Sequence, residues 1–572
     1  MKQLKTVKIV RQMGQLVFNK TCFIFILFCF QTSYCQTIPS EKYKQDLYWY
    51  HKDLKEDGVM GISLEKFHRT NFLKKKSKKI IVAVLDTQID KTHPELKDKI
   101  WVNTKEIPNN GIDDDKNGYI DDVNGWSYTG DKFGGYIVWA NSESVRVVRK
   151  YKDIFEGKTI EQVNTKDIFK YKEYQRALVF LKSKRESYSR KVELYSFFKD
   201  IYPIITDSLK KYFKKENIST IELDSLGKLK DIYPGKTVKD RRLMKARDIG
   251  SLAMYLSKLR ELKWDYEFLK DETLQNDSIL NKNYNIDYNE RLYIESHPEK
   301  FEKGYGNGNM SNTKQGLRTI QNHSTMVSSI IAAKRSDTSE IYGFDDDIQI
   351  MPLNISPSGD EYDKDIALAI RYAVDNGAKV INMSIGKEFS TNQEWVTEAL
   401  LYAQKKNVLV VKVAGNDKYD IDINPYYPTD YDYENKKELC NNFITVGSIS
   451  NFINEKLISE FSNYGKENVD IFAPGDDIYV AKHKDSYGLD GGTSLAGPMV
   501  SGAAALIWLY YPKLTVQQVK KIILESGVSY ETDVIVPGTK DKKVKFSELS
   551  KSGKILNVYN AMEMAKEVSK RK

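Results

Sequence analysis

Ile80-Ile-Val-Ala-Val-Leu-Asp86-Thr87 is the stretch that decides the fold. It is a continuous apolar run, mostly β-branched, with no polar alternation. Such a run needs cover on both faces, as in the interior of a parallel sheet. It stops on a carboxylate, Asp86, where a strand end can hold the charge dry and fixed. Runs of the same kind recur at Ile348–Met351, Lys379–Met383, Val408–Val413 and Phe443–Val446. Helical patterns alternate with them. Asp363–Asn376 keeps helical spacing and stops at Gly377, and Thr391–Lys405 is similar. Gly497–Tyr510 is small and apolar all round, so it reads as a buried helix. Thr515-Val-Gln-Gln518 is a capping box opening a helix that ends at Gly527, and a last helix covers Asn557–Val568. Strands alternating with helices predict an α/β fold, a mostly parallel sheet with helices on both faces.

The 572 residues carry 88 basic and 79 acidic side chains, a net charge of +9, and 41% hydrophobic residues, ample for a core. The run Lys74-Lys-Lys-Ser-Lys-Lys79 lacks the aromatic interleaving of a nucleic-acid surface, so no nucleic-acid partner is expected. Lys2, Lys5, Lys8, Arg11 and Lys20 precede the apolar run Cys22–Phe30, which is too short to span a bilayer. Ser33 and Cys35 supply small residues before a cut preceding Gln36. Residues 1–35 therefore read as a signal peptide, and the chain as exported to the periplasm or the cell exterior. Acylation of Cys35, with a membrane tether, ranks second, because Tyr34 occupies a place where a lipoprotein signal keeps a small residue. Cleavage leaves Cys440 as the single cysteine. An exported chain without disulfides needs another staple, and Ca2+ is the expected one.

The chain divides into a polar lead (36–79), a first core part (80–130), a Lys-, Tyr-, Glu- and Leu-rich segment (131–300) and a second core part (301–572). Tyr174–Leu181 and Leu252–Leu262 mark the 131–300 segment as a helical insertion. Whether it leans over a cleft or packs peripherally is open at this stage.

Three distant stretches each supply one member of a nucleophilic triad: Asp86, His323 in Asn322-His323-Ser-Thr-Met-Val327, and Ser494 in Gly491-Gly492-Thr493-Ser494-Leu-Ala-Gly-Pro498. A serine hydroxyl needs a base to take its proton and a carboxylate to orient that base. Asp-His-Ser is one of the three chain orders in which this chemistry occurs. His323 opens the apolar-periodic segment Ser324–Ala333. Ser494 follows a glycine-rich turn at the start of a helix, where developing negative charge is favoured. Separately, Asp113-Asp-Asp115-Lys-Asn117-Gly118-Tyr119-Ile-Asp121-Asp122 places oxygen ligands at alternate positions around a sharp Gly turn. Asp113, Asp115, Asn117, Tyr119 and Asp121 are candidate Ca2+ ligands. The twelfth position is Asn124 rather than Glu, so further ligands must come from elsewhere.

The serine, aspartate and histidine motifs together resemble the subtilase family of serine peptidases, bacterial exported type, over roughly Ile80–Tyr511. The resemblance implies the subtilisin-like three-layer fold and an exported endopeptidase working through an acyl-enzyme. It implies that Asn416, in Val413-Ala-Gly415-Asn416, donates to the oxyanion. It implies that Ser384-Ile385-Gly386 pairs with the substrate backbone as an added strand, with Gly415, Gly492 and Thr493 also lining the substrate site. The expected partner is a peptide or protein substrate, and the expected state a monomer. The chain departs from the family at Gln88, Ser324 and Met326, where the family keeps Gly, Gly and His. Those departures motivate a rival: a weakened subtilase that binds peptides or partners. All four catalytic positions remain, so peptidase activity is the expectation. A third reading, a helical interaction protein built around the insertion, rests on composition alone.

Overall fold

A computed structural model describes residues 47–571, apart from 71, 73, 74, 76, 132, 229–248, 296 and 311–319. The expected signal peptide, with Cys22, Cys29 and Cys35, lies outside the described residues. The decisive run forms β1 (Ile80–Asp86). It sits between β3 (Ile348–Asn354) and β4 (Val380–Met383). Adding β2 (Trp126–Ser127), β5 (Leu409–Val413), β6 (Phe443–Ile449) and β7 (Ile471–Pro474) continues the sheet on either side. An antiparallel hairpin, β8 (Ile478–Lys482) and β9 (Ser486–Asp490), follows as a separate ribbon. β10 (Val528–Ser529) and β11 (Lys554–Ile555) close the far edge. The nine-stranded order is β10-β11-β7-β6-β5-β4-β1-β3-β2, parallel throughout except for the β10–β11 pair. Register sets Asp86 beside Asn354 and Leu85 beside Met383.

Alternate residues of β1 feed two cores, which is why the run shows no polar alternation. Val82 and Val84 join the core beneath α6 (Ile320–Ala332) and α9 (Thr493–Tyr510), with Val327, Ile330, Met499 and Val500. Ala83 and Leu85 join the opposite one, beneath α7 (Asp363–Asp375) and α8 (Gln393–Lys405), with Ile366, Ile370, Val396 and Leu400. The result is three layers, helix–sheet–helix, of the subtilisin-like kind. α9 is long and apolar enough to cross a membrane, but 89% of its apolar window is buried inside the protein, as a core helix requires. The capping box at Thr515 and Gln518 is formed, and opens α10 (Val516–Ser526); α11 (Val558–Lys570) ends the chain.

β3 runs past its predicted end at Met351, through Pro352 to Asn354. Proline removes one ladder donor, so it is tolerated only where that donor has no strand to meet. The Pro352 carbonyl faces Gly125, whose added Cβ would fall 2.0 Å from it, and β2 begins pairing only at Leu353.

Between β2 and α6 lie the helices of the insertion: α1 (Glu143–Phe155), α2 (Ile168–Phe213), α3 (Thr220–Gly227), α4 (Ile249–Glu261) and α5 (Tyr266–Ser278). α2 has 46 residues, about 69 Å at 1.5 Å per residue. It bridges two separate apolar clusters. Near its start, Tyr174, Ala177 and Leu181 pack with Val145 and Phe155 of α1 and with Phe389 in the loop after β4. Near its end, Phe198, Ile205 and Leu209 build a core with Leu223, Leu256, Leu259 and Leu269.

Candidate active site

The carboxyl ends of the strands carry the site, as in open α/β sheets generally. Asp86, fully buried at the end of β1, accepts through Oδ1 from the Thr87 N–H at 2.6 Å and meets Nδ1 of His323 at 2.7 Å. α6 is described from Ile320, four residues before the predicted apolar segment opens at Ser324, so His323 lies within the described helix rather than ahead of it. Its helix is docked by the Ser324 N–H donating to Thr87 Oγ1 at 3.1 Å. Burial lowers the imidazole's proton affinity, but Asp86 and its hydrogen bond outweigh that, with Asp490 adding to them, and the net shift is upward.

Ser494 is the second residue of α9, and Gly492 before it has φ +152°, a conformation that side chains avoid. Pro498 lies inside α9, beyond its first turn. Its consequence is chemical: lacking an N–H, it leaves the Ser494 carbonyl without its helical donor. Ser384 Oγ fills that role at 2.8 Å, and Asn382 Nδ2 donates to the same Ser384 oxygen at 3.0 Å. The serine turn is thereby tied to the end of β4. The Ser494 hydroxyl donates to the Ser384 carbonyl at 3.4 Å, a long bond that a hydroxyl rotor gives up readily.

Asn416, at the end of β5, accepts through Oδ1 from Thr493 N at 2.9 Å and Thr493 Oγ1 at 3.0 Å, which turns its amide nitrogen outward. A Cβ added to Gly492 would lie 3.5 Å from Asn416 Nδ2 and 3.8 Å from Ser494 N. Two N–H donors therefore flank one small space that only glycine leaves open. An arrangement of this kind can hold a developing negative charge. Gly415 N donates to Thr493 Oγ1 at 3.2 Å, so Gly415, Gly492 and Thr493 form one unit with Asn416.

The departures from the family pattern are absorbed in the interior. Gln88 and Ser324 are buried with their side-chain polar atoms unpaired, and Met326 packs in the α6–α9 core.

In the acidic loop, the carboxylates of Asp113 and Asp115 meet that of Glu106, their oxygens within 4.8 Å of one another. Glu106 stands ahead of the motif, and no spacing pointed to it. Asp121 turns away: its carboxylate accepts from the N–H groups of Asn110 and Gly111 at 3.1 and 2.9 Å. Asn117 spends its side chain on Tyr119 N and Asp122, and the Tyr119 ring is buried with its hydroxyl accepting from Tyr128. Burial, with Asp122, Asp115 and Asp114 nearby, holds the Glu106 carboxyl above its ordinary range. An all-oxygen, anionic donor set of this kind fits a hard divalent cation.

The segment following β4 is gripped by the insertion. Lys387, fully buried, reaches Asp363 at 2.7 Å and Glu143 of α1 at 3.1 Å. Arg146 pairs with Glu143 at 2.6 Å and Glu290 at 2.9 Å. Against the penalty of burial, Lys387 and Arg146 hold the Glu143 carboxyl down at about 2. Arg176 of α2 donates to the Glu388 carbonyl at 2.6 Å, and Phe180 meets Phe389 with ring centroids 5.3 Å apart. Sequence patterns placed helices here but gave no sign of this contact.

A parallel α/β sheet whose strand ends gather a carboxylate–imidazole pair, a helix-start serine and two convergent N–H donors defines a hydrolase-type site. The subtilase family profile matches residues 77–547, and the chain belongs to that family. It is 35% identical over 189 residues to the thermophilic serine proteinase of Bacillus sp. (strain AK1), covering 33% of this chain and 43% of that one. It is 26% identical over 384 residues to subtilisin-like protease 2 of Plasmodium falciparum (isolate 3D7), covering 66% of this chain and 26% of that one. The chain thus spans less than half the length of either relative. Among solved structures, the prenylagaramide maturation protease PagA is 27% identical, with 43% of this chain and 82% of that one covered and a TM-score of 0.34.

Proposed function

We propose that the chain is an exported serine endopeptidase. The observations that carry this are the Asp86–His323 hydrogen bond and a helix-start serine whose glycine turn leaves a small space beside Asn416 Nδ2 and the Ser494 nitrogen. Ser494 attacks the scissile carbonyl as His323 takes its proton, and Asp86 stabilises the imidazolium. Asn416 Nδ2 and the Ser494 N–H receive the oxyanion; losing one such donor typically costs roughly 10²–10³ in turnover. His323 then protonates the leaving amine, and water releases the acyl group by the same steps in reverse. The substrate backbone pairs along Ser384–Gly386. A Ca2+ ion held by Glu106, Asp113 and Asp115 would neutralise the acidic loop and serve as the structural staple. The chain acts as a monomer on peptides or proteins outside the cytoplasm.

The test isolates the chain from the extracytoplasmic fraction and reads its first residue, expected to be Gln36. The protein is then treated with a serine-directed fluorophosphonate. Labelling that vanishes in Ser494→Ala supports the reading. A folded, calcium-loaded protein that stays unlabelled would sink it.

A further inference from the structure

Both the Ser384–Gly386 and Ala414–Asn416 segments are tied to the turn that carries Ser494, by Ser384 Oγ on the Ser494 carbonyl and by Gly415 N on Thr493 Oγ1. With the substrate paired along Ser384–Gly386 as proposed above, the side chain before the scissile bond therefore enters between them. Both walls carry a glycine, Gly386 and Gly415. Bare walls ordinarily leave an open slot. Here a ring occupies it. A Cβ added to Gly386 would fall 2.3 Å from Cε1 of Tyr426, and one added to Gly415 would fall 2.5 Å from its Cζ. One edge of the Tyr426 ring therefore rests on both backbones at once.

The ring is held there from several sides. Lys387 and Tyr427, the next residues along each segment, exchange two backbone hydrogen bonds of 2.9 and 2.8 Å. The segment bearing Tyr426 is thus laced to the wall it packs against. Lys412 Nζ lies 4.5 Å from the ring centroid, and Tyr426 is 7% exposed. Burial, with the Asp417 and Glu388 carboxylates close by, pushes the phenol well above its ordinary range, so it stays neutral. Nothing in this setting offers the ring an easy second position, because well-packed interiors resist the displacement of a large side chain.

We propose that Tyr426 is a specificity-determining residue that closes this slot to large side chains, so that the protein cleaves after Gly, Ala and Ser and rejects aromatic and long aliphatic residues. The proposal rests on the peptidase reading above. It differs from a pocket tuned by charge, because the selecting feature is occupied volume.

The experiment uses the whole chain and a series of acylated tetrapeptide anilides that differ only in the residue before the cleaved bond. Each kcat/KM is divided by the fraction of chains the fluorophosphonate labels, so triad assembly and specificity are read separately. The expected result is a preference for Ala over Phe of roughly tenfold or more. Tyr426→Gly should shift that ratio toward Phe by a similar factor. Tyr426→Phe, which keeps the ring, should keep the ratio, separating bulk from any general damage to the fold. A parent that turns over the Phe peptide as well as the Ala peptide would overturn the proposal even if the glycine variant failed to fold. So would a labelled Tyr426→Gly with an unchanged ratio. A parent that neither labels nor cleaves any peptide would remove the peptidase reading, and this proposal with it.

Discussion

The sheet and the helical insertion bury their polar groups in different ways. At the strand ends the polar contacts beside the site are single pairs: buried Asp86 meets His323, and the exposed Asn416 accepts from Thr493 at the Ser494 turn. At the root of the insertion, charges are buried in bulk. Glu143, Arg146, Lys387, Asp363 and Glu290 form one cluster, and the guanidinium of Arg291 grips Asp365 bidentately at 2.7 and 2.9 Å beside it. Farther out, the insertion changes character again and closes around an ordinary apolar core. The difference teaches where the insertion belongs. A peripheral element would dock through an apolar patch such as the one around Phe389 alone. This one shares charges with the segment that continues the substrate edge, and those charges cannot be uncovered one at a time.

The sharpest way to break that comparison is to remove the cation common to both regions. Lys387→Ala leaves Glu143 and Asp363 buried and short of a partner, and breaking a buried pair in this way costs about 3–5 kcal/mol. Denaturant unfolding should show this loss, together with a raised KM for peptides, since Lys387 follows Gly386 directly. An unfolding midpoint equal to that of the parent would mean the cluster is solvated and the insertion merely rests on the sheet.

Removal of the cation tests the other end of the same contrast. The acidic loop lies between β1 and β2, and its Asn117 carbonyl accepts from Lys303, on the chain returning from the insertion. If Glu106, Asp113 and Asp115 hold Ca2+, chelation should lower the unfolding free energy by about 2.7 kcal/mol relative to a hundredfold excess over Kd. Glu106→Gln should weaken the effect. A melting temperature indifferent to calcium and chelator would leave the loop as a solvated acidic turn.

How much of this the chain announced follows from the physics of each part. Ile80–Leu85 was legible because a strand covered on both faces needs continuous apolar residues, and that need is local. The serine turn was legible because glycine at 492 answers a backbone requirement written in the sequence itself, whereas what Pro498 does inside α9 depends on Ser384 arriving from β4. The end of β3 was missed, because the tolerance of Pro352 depends on where β2 starts, more than two hundred residues earlier. The Lys387 cluster was missed for the same reason: a buried lysine looks like any other until its partners arrive from α1 and α7. Glu106 and Tyr426 also escaped notice. Neither sits in a periodic or spaced pattern, and each gains its role only from what the fold sets opposite it.

The smallest expected effect concerns the proton on His323, and its sign can be worked out. Burial alone would lower the histidine below its ordinary value of about 6.5. Asp86 at 2.7 Å and the nearby Asp490 reverse that, and the net shift is upward. The folded protein therefore holds this proton more tightly than the unfolded chain. The stability the pair contributes is full below the ordinary histidine value and fades as pH rises through the shifted one. Catalysis runs the opposite way, because the base must be neutral before Ser494 can lose its proton. The acidic limb of kcat/KM should accordingly have its midpoint above about 6.5. Asp490→Asn removes one of the raising charges and should move that limb to lower pH by a fraction of a unit, leaving the rate on the neutral plateau within a few-fold. Asp490 also pairs with Lys482 at 2.9 Å, so a purely structural role would lower the plateau without moving the midpoint. A limb centred at or below 6.5, or one that Asp490→Asn does not move, would show that the charges gathered at the strand ends do not act on His323 as the geometry requires.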